Sequence, residues 1–377
     1  MIDVVLCADI GTTSLKAGLI TCNGGVVSFS SQKLSSSQHP PLYTALSWKE
    51  ALRKAIGSMK NKCDFEQVCI KAISISGNGP TLVLENGLTY KWNEKIDTSI
   101  FNTFNENAKS YIYKSLFLPR ILMLRHLYKK EFSEFSVFSG PEYLIYELTN
   151  NKVTVLPEER YKEVYWTSEA LKECNIFEDK LPPFVKIGDV CGYLSKQAAE
   201  FLELEQNIPV VSGGPDFIAA LIGTNTLSEG KICNRCGSSE GFNYCVSKKI
   251  FSNNIRTLPS VIPGLWNCSY LIPLSSTFSK SERILKARTA VSSLKNISKK
   301  YDMAFENEIV VTGGQIYDKN LMKRKAKALK MPLSICQLSS AELLGDCCAA
   351  FVALKKYETL QEAASKIVKK EVMYESI

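Results

Sequence analysis

The sequence predicts an α/β protein built as two related lobes, and three observations carry that prediction. Its 377 residues exceed what one hydrophobic core usually organises. The amino-terminal part runs strand, strand, strand, helix, strand, read from alternation in VVLCADI, TSLKAGLIT and GVVSFSSQKL, a helical pattern after Ser47, and the apolar run CIKAISIS. The same order returns after Gly223, and both stretches open on a hairpin whose turn is glycine-bearing and hydroxyl-rich, DIGTTS in one and CGSSEG in the other.

In the first half, DIGTT and TCNGG supply the turns of an antiparallel three-stranded unit. Ser47, with Glu50 three positions on, reads as a capping box opening a helix that ends near Lys60. CIKAISISGNG is a buried strand running into a loop. Helical periodicity dominates from Leu116 to Lys130 and around Tyr143 to Leu148, and a loop-rich segment follows through LPEERYKEVYWTSEALKECNIFEDKLPP. The helix SKQAAEFLEL, the buried strand IPVVSGG and the small-residue helix DFIAALIG close this half. In the second, KICNRCGS, GFNYCVSK, LWNCSYLIPL and EIVVTGG read as strands and ILKARTAVSSLKNISKKY as a helix. The boundary falls between Thr224 and Glu229, giving lobes of 1–225 and 226–377.

A hydrophobic fraction of 45% with 22% charged residues is that of an ordinary soluble globular protein. No apolar run reaches membrane length, and Asp3 and Asp9 interrupt the amino terminus, so neither membrane insertion nor secretion is expected and a cytoplasmic location is. Thirteen scattered cysteines predict reduced thiols, and the CxxC spacing of Cys233 and Cys236, lacking a second ligand pair, predicts plain buried thiols. The formal charge of +8 arises from lysines in helical segments such as LMKRKAKALK and ASKIVKKE, read as a solvated face or as long-range attraction for an anionic substrate. No nucleic-acid motif accompanies them, and no nucleic-acid partner is expected. With only His39 and His126 available, a general base is expected to be a carboxylate. Tyr161, Tyr165 and Trp166 read as packing before sugar contact, and Glu158 and Arg160 as a surface pair or a hydroxyl contact.

Four segments have the makings of chemistry. In DIGTTSLK, Gly11 permits a tight turn, and backbone N–H groups with the hydroxyls of Thr12, Thr13 and Ser14 can face phosphate oxygens. Asp9 can hold magnesium through water and Lys16 can neutralise phosphate; a plain hairpin with a salt bridge is the equal alternative. Asp216, after a buried strand and a Gly-Gly-Pro turn, can accept a hydroxyl proton during phosphoryl transfer or can cap its helix. Gly237, Ser238 and Ser239 offer a second phosphate cradle. Gly313 and Gly314 end a strand in a way that lets a nucleotide approach the backbone. Neither GxGxxG nor GxxxxGK[ST] occurs, which disfavours a classical dinucleotide-binding dehydrogenase and a Walker-type NTPase.

In this order the four segments resemble the FGGY family of carbohydrate kinases, in the fold group of actin, hexokinase and the heat-shock ATPases, a duplicated ribonuclease H-like architecture whose lobes close over a cleft. ISISGNGPTLVLENG and YKWNEK resemble the family's sugar-side loops, SGPEYLIYELTN its DYLxxxLTG helix, and VVSGGPDFIAALIG the passage into its catalytic aspartate. The resemblance implies Mg-ATP as phosphate donor and Asp216 as the base. It implies Asp9, Gly11, Thr12, Thr13 and Lys16 around phosphate and magnesium, and Gly237, Ser238, Ser239, Gly313, Gly314 and Gln315 at the nucleotide. Asn78, Gly79 and Trp92, with Asp216, fall at the sugar or polyol, and Glu342 and Gly345 of AELLGDCCAAFVAL near adenosine.

Within the family the cadence of the first lobe is similar to that of xylulose kinases. A GQMHG-like loop is replaced by Gly77–Thr81, a WxDxR-like segment by Trp92–Lys95, and the second lobe is shortened after LIPLSSTFSK, where a glycine-bearing turn has become Ser275, Ser276 and Thr277. These departures keep open a degenerate nucleotide- or sugar-binding protein without kinase activity, and an ATPase lacking a sugar acceptor. The oligomeric state stays open, a homodimer included.

Overall fold

The computed structural model describes residues 1–34, 41–237 and 239–375. The chain forms two compact units that exchange segments: the first comprises Met1–Thr21, Val27–Asp216 and Ala349–Lys356, the second Cys22–Val26, Phe217–Cys348 and Tyr357–Ile377.

Strands of the first unit are β1 (Ile2–Ile10), β2 (Ser14–Thr21), β3 (Val26–Lys33), β4 (Val68–Gly77), β5 (Leu82–Leu84), β6 (Thr89–Tyr90), β7 (Val137–Ser139), β8 (Thr154–Leu156), β9 (Phe184–Lys186), β10 (Val190–Tyr193) and β11 (Pro209–Pro215). Six of them form one sheet in the order β10-β11-β4-β1-β2-β3, with β1, β4 and β11 mutually parallel. Its helices are α1 (Trp48–Lys60), α2 (Glu106–Lys114), α3 (Leu118–Leu127), α4 (Lys129–Glu134), α5 (Gly140–Thr149), α6 (Ser168–Glu173) and α7 (Lys196–Leu202), followed by α8 (Asp216–Gly223), which begins at the unit's last residue. Val4, Leu6, Ala8 and Ile10 on one face of β1 pack with the apolar sides of α1, α5 and α7 in one core. Val5, Cys7 and Asp9 take the opposite face, as the period-two geometry of a strand requires.

Helix α1 buries Trp48, Ala51, Leu52, Ala55, Ile56 and Met59, a single stripe at helical spacing. The capping box expected at its start is absent. A 3-10 turn over Pro41–Ser47 leads straight into the helix, so Ser47 already has helical torsions, and its hydroxyl donates instead to the Thr44 carbonyl at 2.7 Å. Glu50 is engaged by Arg53 at 2.8 and 2.9 Å. A capping box does form in the second unit, where Ser279 and Glu282 start the helix Lys280–Tyr301.

Helix α5 opens on Gly140-Pro141, and its Glu142 is buried, accepting hydrogen bonds from Val155 N–H at 2.9 Å and from the Ser139 hydroxyl. Burial pushes this carboxyl up from 4.5 to about 7. The folded chain therefore binds a proton that the unfolded chain releases between these values. Stability should fall as pH rises through that window, by about 3 kcal/mol in total, and stay level above it. In Glu142→Gln this slope should vanish, raising the urea midpoint at pH 8 above wild type; equal midpoint differences between pH 5 and pH 8 in both proteins would refute the assignment.

The second unit contains β12 (Ile232–Cys236), β13 (Glu240–Val246), β14 (Arg256–Pro259), β15 (Trp266–Ile272), β16 (Ile309–Thr312), β17 (Leu333–Cys336) and β18 (Lys370–Tyr374), in the order β14-β15-β13-β12-β16-β17-β18. Helices α9 (Lys280–Tyr301) and α10 (Lys319–Leu329) pack on one face of this sheet, and α11 (Ala341–Ala353) and α12 (Leu360–Ile367) follow. A central strand in a hairpin with its successor and parallel to a later strand describes β1 with β2 and β4, and equally β12 with β13 and β16. The repeat expected from the two hairpins is thus a repeat of topology.

Cys233 and Cys236 fall three apart on β12 and so on opposite faces of the sheet. Both are buried, with thiols pushed up to about 12 by desolvation, and the Cys236 sulfur donates to the Thr312 carbonyl at 3.0 Å. They are packing thiols, and all thirteen cysteines are free of disulfides. Tyr165 and Trp166 are likewise packed inside, Trp166 stacking on Phe184 at 5.1 Å, and Glu158 pairs with Arg160 at 2.8 Å. No helix among the described residues is long and apolar enough to cross a membrane.

Candidate functional site

Sheet register builds the site of the first unit. Asp9 is level with Ser76 and Ile10 with Gly77 across β1 and β4, while Pro215 is level with Gly77 across β11 and β4. The carboxyl ends of three parallel strands therefore share one edge, which brings together Asp9, Asn78 and Asp216 from positions far apart in sequence. Ligands of open α/β sheets bind at such an edge.

The hairpin between β1 and β2 closes through Gly11 N–H donating to the Ser14 carbonyl at 2.9 Å. A Cβ on Gly11 would stand 2.9 Å from that same oxygen, so the tight turn needs glycine. Because its N–H is used within the turn, Gly11 contributes shape, and the exposed hydroxyls of Thr12 and Thr13 are the outward polar groups. Lys16 is the cross-strand partner of Asp9, with its ammonium 3.7 Å from Oδ2.

Asn78 extends β4, donating its N–H to the Ile10 carbonyl at 2.9 Å. Its Oδ1 accepts from Thr81 Oγ1 at 2.7 Å, Thr81 Oγ1 accepts Trp92 N–H at 3.1 Å, and the Trp92 indole donates to Thr12 Oγ1 at 3.0 Å. Arg120 donates to the carbonyls of Trp92 and Glu94, holding that loop from behind. Gly79 packs against Pro215, where an added Cβ would come within 3.9 Å of the proline. Thr12, Asn78, Gly79 and Trp92 thus form one connected surface. Thr81 and Arg120 tie it together; Thr81 is the last residue of the altered loop Gly77–Thr81, whereas Arg120 went unmarked in the sequence.

At the end of β11 the register shifts between Ser212 and Gly214, so the Gly-Gly pair makes a bulge, and Gly214 takes a φ of +83°. The bulge re-aims the chain into α8, whose first residue is Asp216, half-buried and in the turn where a carboxylate favours the helix dipole.

In the second unit the turn between β12 and β13 closes through Gly237 N–H to the Ser239 carbonyl at 3.0 Å. Ser238 lies outside the described residues. Gly313 follows β16 with a φ of +101°, and a Cβ there would stand 2.7 Å from the Cys236 carbonyl, so only glycine lets this loop lie against the hairpin. Gly314 is open, with nothing within 4 Å of an added Cβ, and faces a hollow of about 740 Å³ lined by Lys280, Tyr317, Asp318, Lys319 and Asn320. Gln315 is buried, its amide donating to Ser275 Oγ at 3.3 Å and to Glu240 at 3.4 Å.

One expectation changes here, and the structure adds packing detail at Gly345 and Glu342. Lys325, read with the other lysines of LMKRKAKALK as part of a solvated face, is fully buried and paired with Glu240. It lies on the stripe formed by Leu321, Met322, Ala326 and Leu329, so helical periodicity does mark it. Gly345 is a packing position: its added Cβ would fall 2.0 Å from the Ala219 carbonyl. Glu342 is nearly buried, with Oε1 3.9 Å from Arg235.

Residues 85–223 match the FGGY family of carbohydrate kinases, N-terminal domain. The xylulose kinase of Staphylococcus epidermidis is 26% identical over 261 residues, 63% of this chain and 52% of that protein. The xylulose kinase of Lactococcus lactis is 26% identical over 60% of this chain and 50% of its own length, so the chain spans about half the length of these curated relatives. Among solved structures, a ligand-bound xylulose kinase from Lactobacillus acidophilus superposes with a TM-score of 0.79 at 16% identity, covering 99% of this chain and 94% of that one. Gluconate kinase from the same organism gives 0.80 at 15% identity over 100% and 94%. Plasmodium falciparum glycerol kinase with ADP gives 0.77 at 14%, again over 100% and 94%. Residues 85–223 thus resemble an FGGY kinase domain, the matching part of the chain is similar in sequence to xylulose kinases, and the chain has the fold of the sugar kinases with which it superposes.

Proposed function

We propose, from this FGGY carbohydrate-kinase likeness, that the chain transfers the γ-phosphate of ATP to a hydroxyl of a sugar or polyol, with xylulose the first candidate. The observation that carries the reading is the shared carboxyl edge of β1, β4 and β11, where a hydroxyl-bearing turn, two carboxylates and the Asn78–Trp92 network meet. Asp216 accepts the proton of the acceptor hydroxyl as the new P–O bond forms. Thr12 and Thr13 donate to phosphate oxygens and Lys16 offsets their charge. In the second unit Ser239 faces phosphate, Gly313 and Gly314 let the nucleotide lie close to the backbone, and Gln315 anchors that loop. Asn78 and Gly79 flank the acceptor, and the half-exposed Trp92 ring suits a sugar's C–H surface.

Asp9 supplies the hard oxygen donor that magnesium prefers. Among the described residues no cluster of three or more metal-ligating side chains gathers, and magnesium bound with a nucleotide asks for none, since phosphate oxygens and water fill most of its octahedron. When bound, it neutralises charge on the β- and γ-phosphates. The protein's own part is positioning and electrostatic complementarity.

A coupled ADP-release assay with Mg-ATP over xylulose, other pentuloses, pentitols, gluconate and glycerol tests the reading. Release stimulated by one acceptor supports it and names the substrate. No stimulation anywhere in the panel, from folded protein, overturns it, and acceptor-independent hydrolysis marks an ATPase instead. Trp92→Phe keeps an aromatic face but removes the donor to Thr12, and should raise KM about threefold to tenfold, the worth of one hydrogen bond, with no more than a small fall in the melting temperature. An unchanged KM would detach this bond from substrate binding.

A further inference from the structure

We infer that Glu240 is a positioning residue for the nucleotide: its buried carboxylate, neutralised by Lys325, holds three loop segments of the second unit in one arrangement. The inference rests on the kinase reading above.

Glu240 pairs with Cys236 across the base of the hairpin turn, immediately after Ser239. Residue and partner are both sealed from solvent, Glu240 at 1% and Lys325 at 0% exposure. One carboxylate oxygen takes the Lys325 ammonium and Asn234 Nδ2, the latter at 3.0 Å. The other takes Ser275 Oγ at 3.0 Å and Gln315 Nε2 at 3.4 Å. Lys325 also donates to Asn234 Oδ1 at 2.6 Å and lies 5.3 Å from the Phe242 ring centroid.

The partners come from separate segments: Asn234 from β12 as it enters the Gly237 turn, Ser275 from the short helical turn Ser275–Thr277 after β15, Gln315 from the turn Gly314–Tyr317, and Lys325 from α10. The hairpin turn and the turn Gly314–Tyr317 are the places already singled out for phosphate and nucleotide, and the turn Ser275–Thr277 joins them through Ser275. One carboxylate fixes all three.

Stability does not require such a cluster. The surrounding layer is apolar, with Ile232, Cys236, Phe242, Ile316, Leu321 and Met322, and desolvating two charges there costs about as much as their attraction returns. What a fully satisfied buried network adds is one fixed geometry, and preorganised loops bind more tightly because less order is lost on binding. The charges have a second consequence. A bare carboxylate next to this turn would repel phosphate oxygens, so Lys325 makes the turn tolerable to an anion.

The test compares wild type, Lys325→Met and the double variant Glu240→Gln/Lys325→Met, measuring urea midpoints, calorimetric affinity for the magnesium complex of a non-hydrolysable ATP analogue, and KM for the acceptor sugar. The double variant should unfold at or above the wild-type midpoint, bind nucleotide about tenfold more weakly and keep the sugar KM, a split that general loosening would not produce. Lys325→Met, which leaves the carboxylate bare, should bind nucleotide more weakly still. Wild-type nucleotide affinity in a folded double variant overturns the positioning role alone, whereas a wild type that binds no nucleotide overturns the kinase reading beneath it. If the double variant does not fold, Ser275→Ala, which keeps the ion pair, carries the test: a severalfold loss of nucleotide affinity supports the role and wild-type affinity overturns it.

Discussion

Asp216→Asn is expected to lower acceptor-dependent ADP release by about a hundredfold to ten-thousandfold, the usual worth of a general base, while leaving nucleotide affinity within about twofold of wild type. Asparagine suits the substitution because it separates two roles. It fills the same volume and serves the start of a helix nearly as well as aspartate, so the link from β11 into α8 should survive. It cannot accept a proton at neutral pH. If Asp216 only served its helix, the variant would keep its rate, and that result would remove the residue from the chemistry. The readout is coupled ADP release with the best acceptor, beside calorimetric binding of the ATP analogue.

Gly345→Ala and Gly223→Ala should each destabilise the protein by about 3 kcal/mol or more, seen as a fall in the urea midpoint. Two effects compete at these positions. Helix propensity favours alanine over glycine by about 1 kcal/mol. Against this, a Cβ on Gly345 would lie 2.0 Å from the Ala219 carbonyl oxygen, and one on Gly223 would lie 1.7 Å from that of Ala341. The obstacle is backbone, which cannot rotate aside, so α8 and α11 would have to part and the packing term wins. Gly57 in α1 is the internal control: an added Cβ there meets nothing within 4 Å, and Gly57→Ala should stabilise by up to about 1 kcal/mol. A neutral or stabilising Gly345→Ala would refute the close crossing.

Much of the fold is legible in the chain because strand and helix periods are imposed by the backbone itself. VVLCADI does form a strand, β1, though it is buried on both faces, the stripe from Trp48 to Met59 is helical in period, and the two glycine-bearing turns mark the two hairpins. Less regular pieces escaped. Strand β14 has four residues, β18 is mostly exposed, and the small sheet of β5, β6 and β7 is assembled from fragments of two or three residues, each too short for a period to show. The failed capping box at Ser47 has the same lesson in reverse: the local pattern was right, but the preceding 3-10 turn had already placed the residue in helical torsions.

What the sequence determined by itself was the order of elements, the apolar faces and the glycines at tight turns, since each depends on neighbours within a few positions. What the tertiary structure decided was which distant residues share a place. Asp9, Asn78 and Asp216 meet only because β1, β4 and β11 are parallel and in a particular register. Ser275 and Gln315 reach Glu240 across 35 and 75 positions of chain, and Gly345 meets Ala219 only where two helices cross. Register and crossing are set by the packing of whole faces, so no local window of sequence contains them.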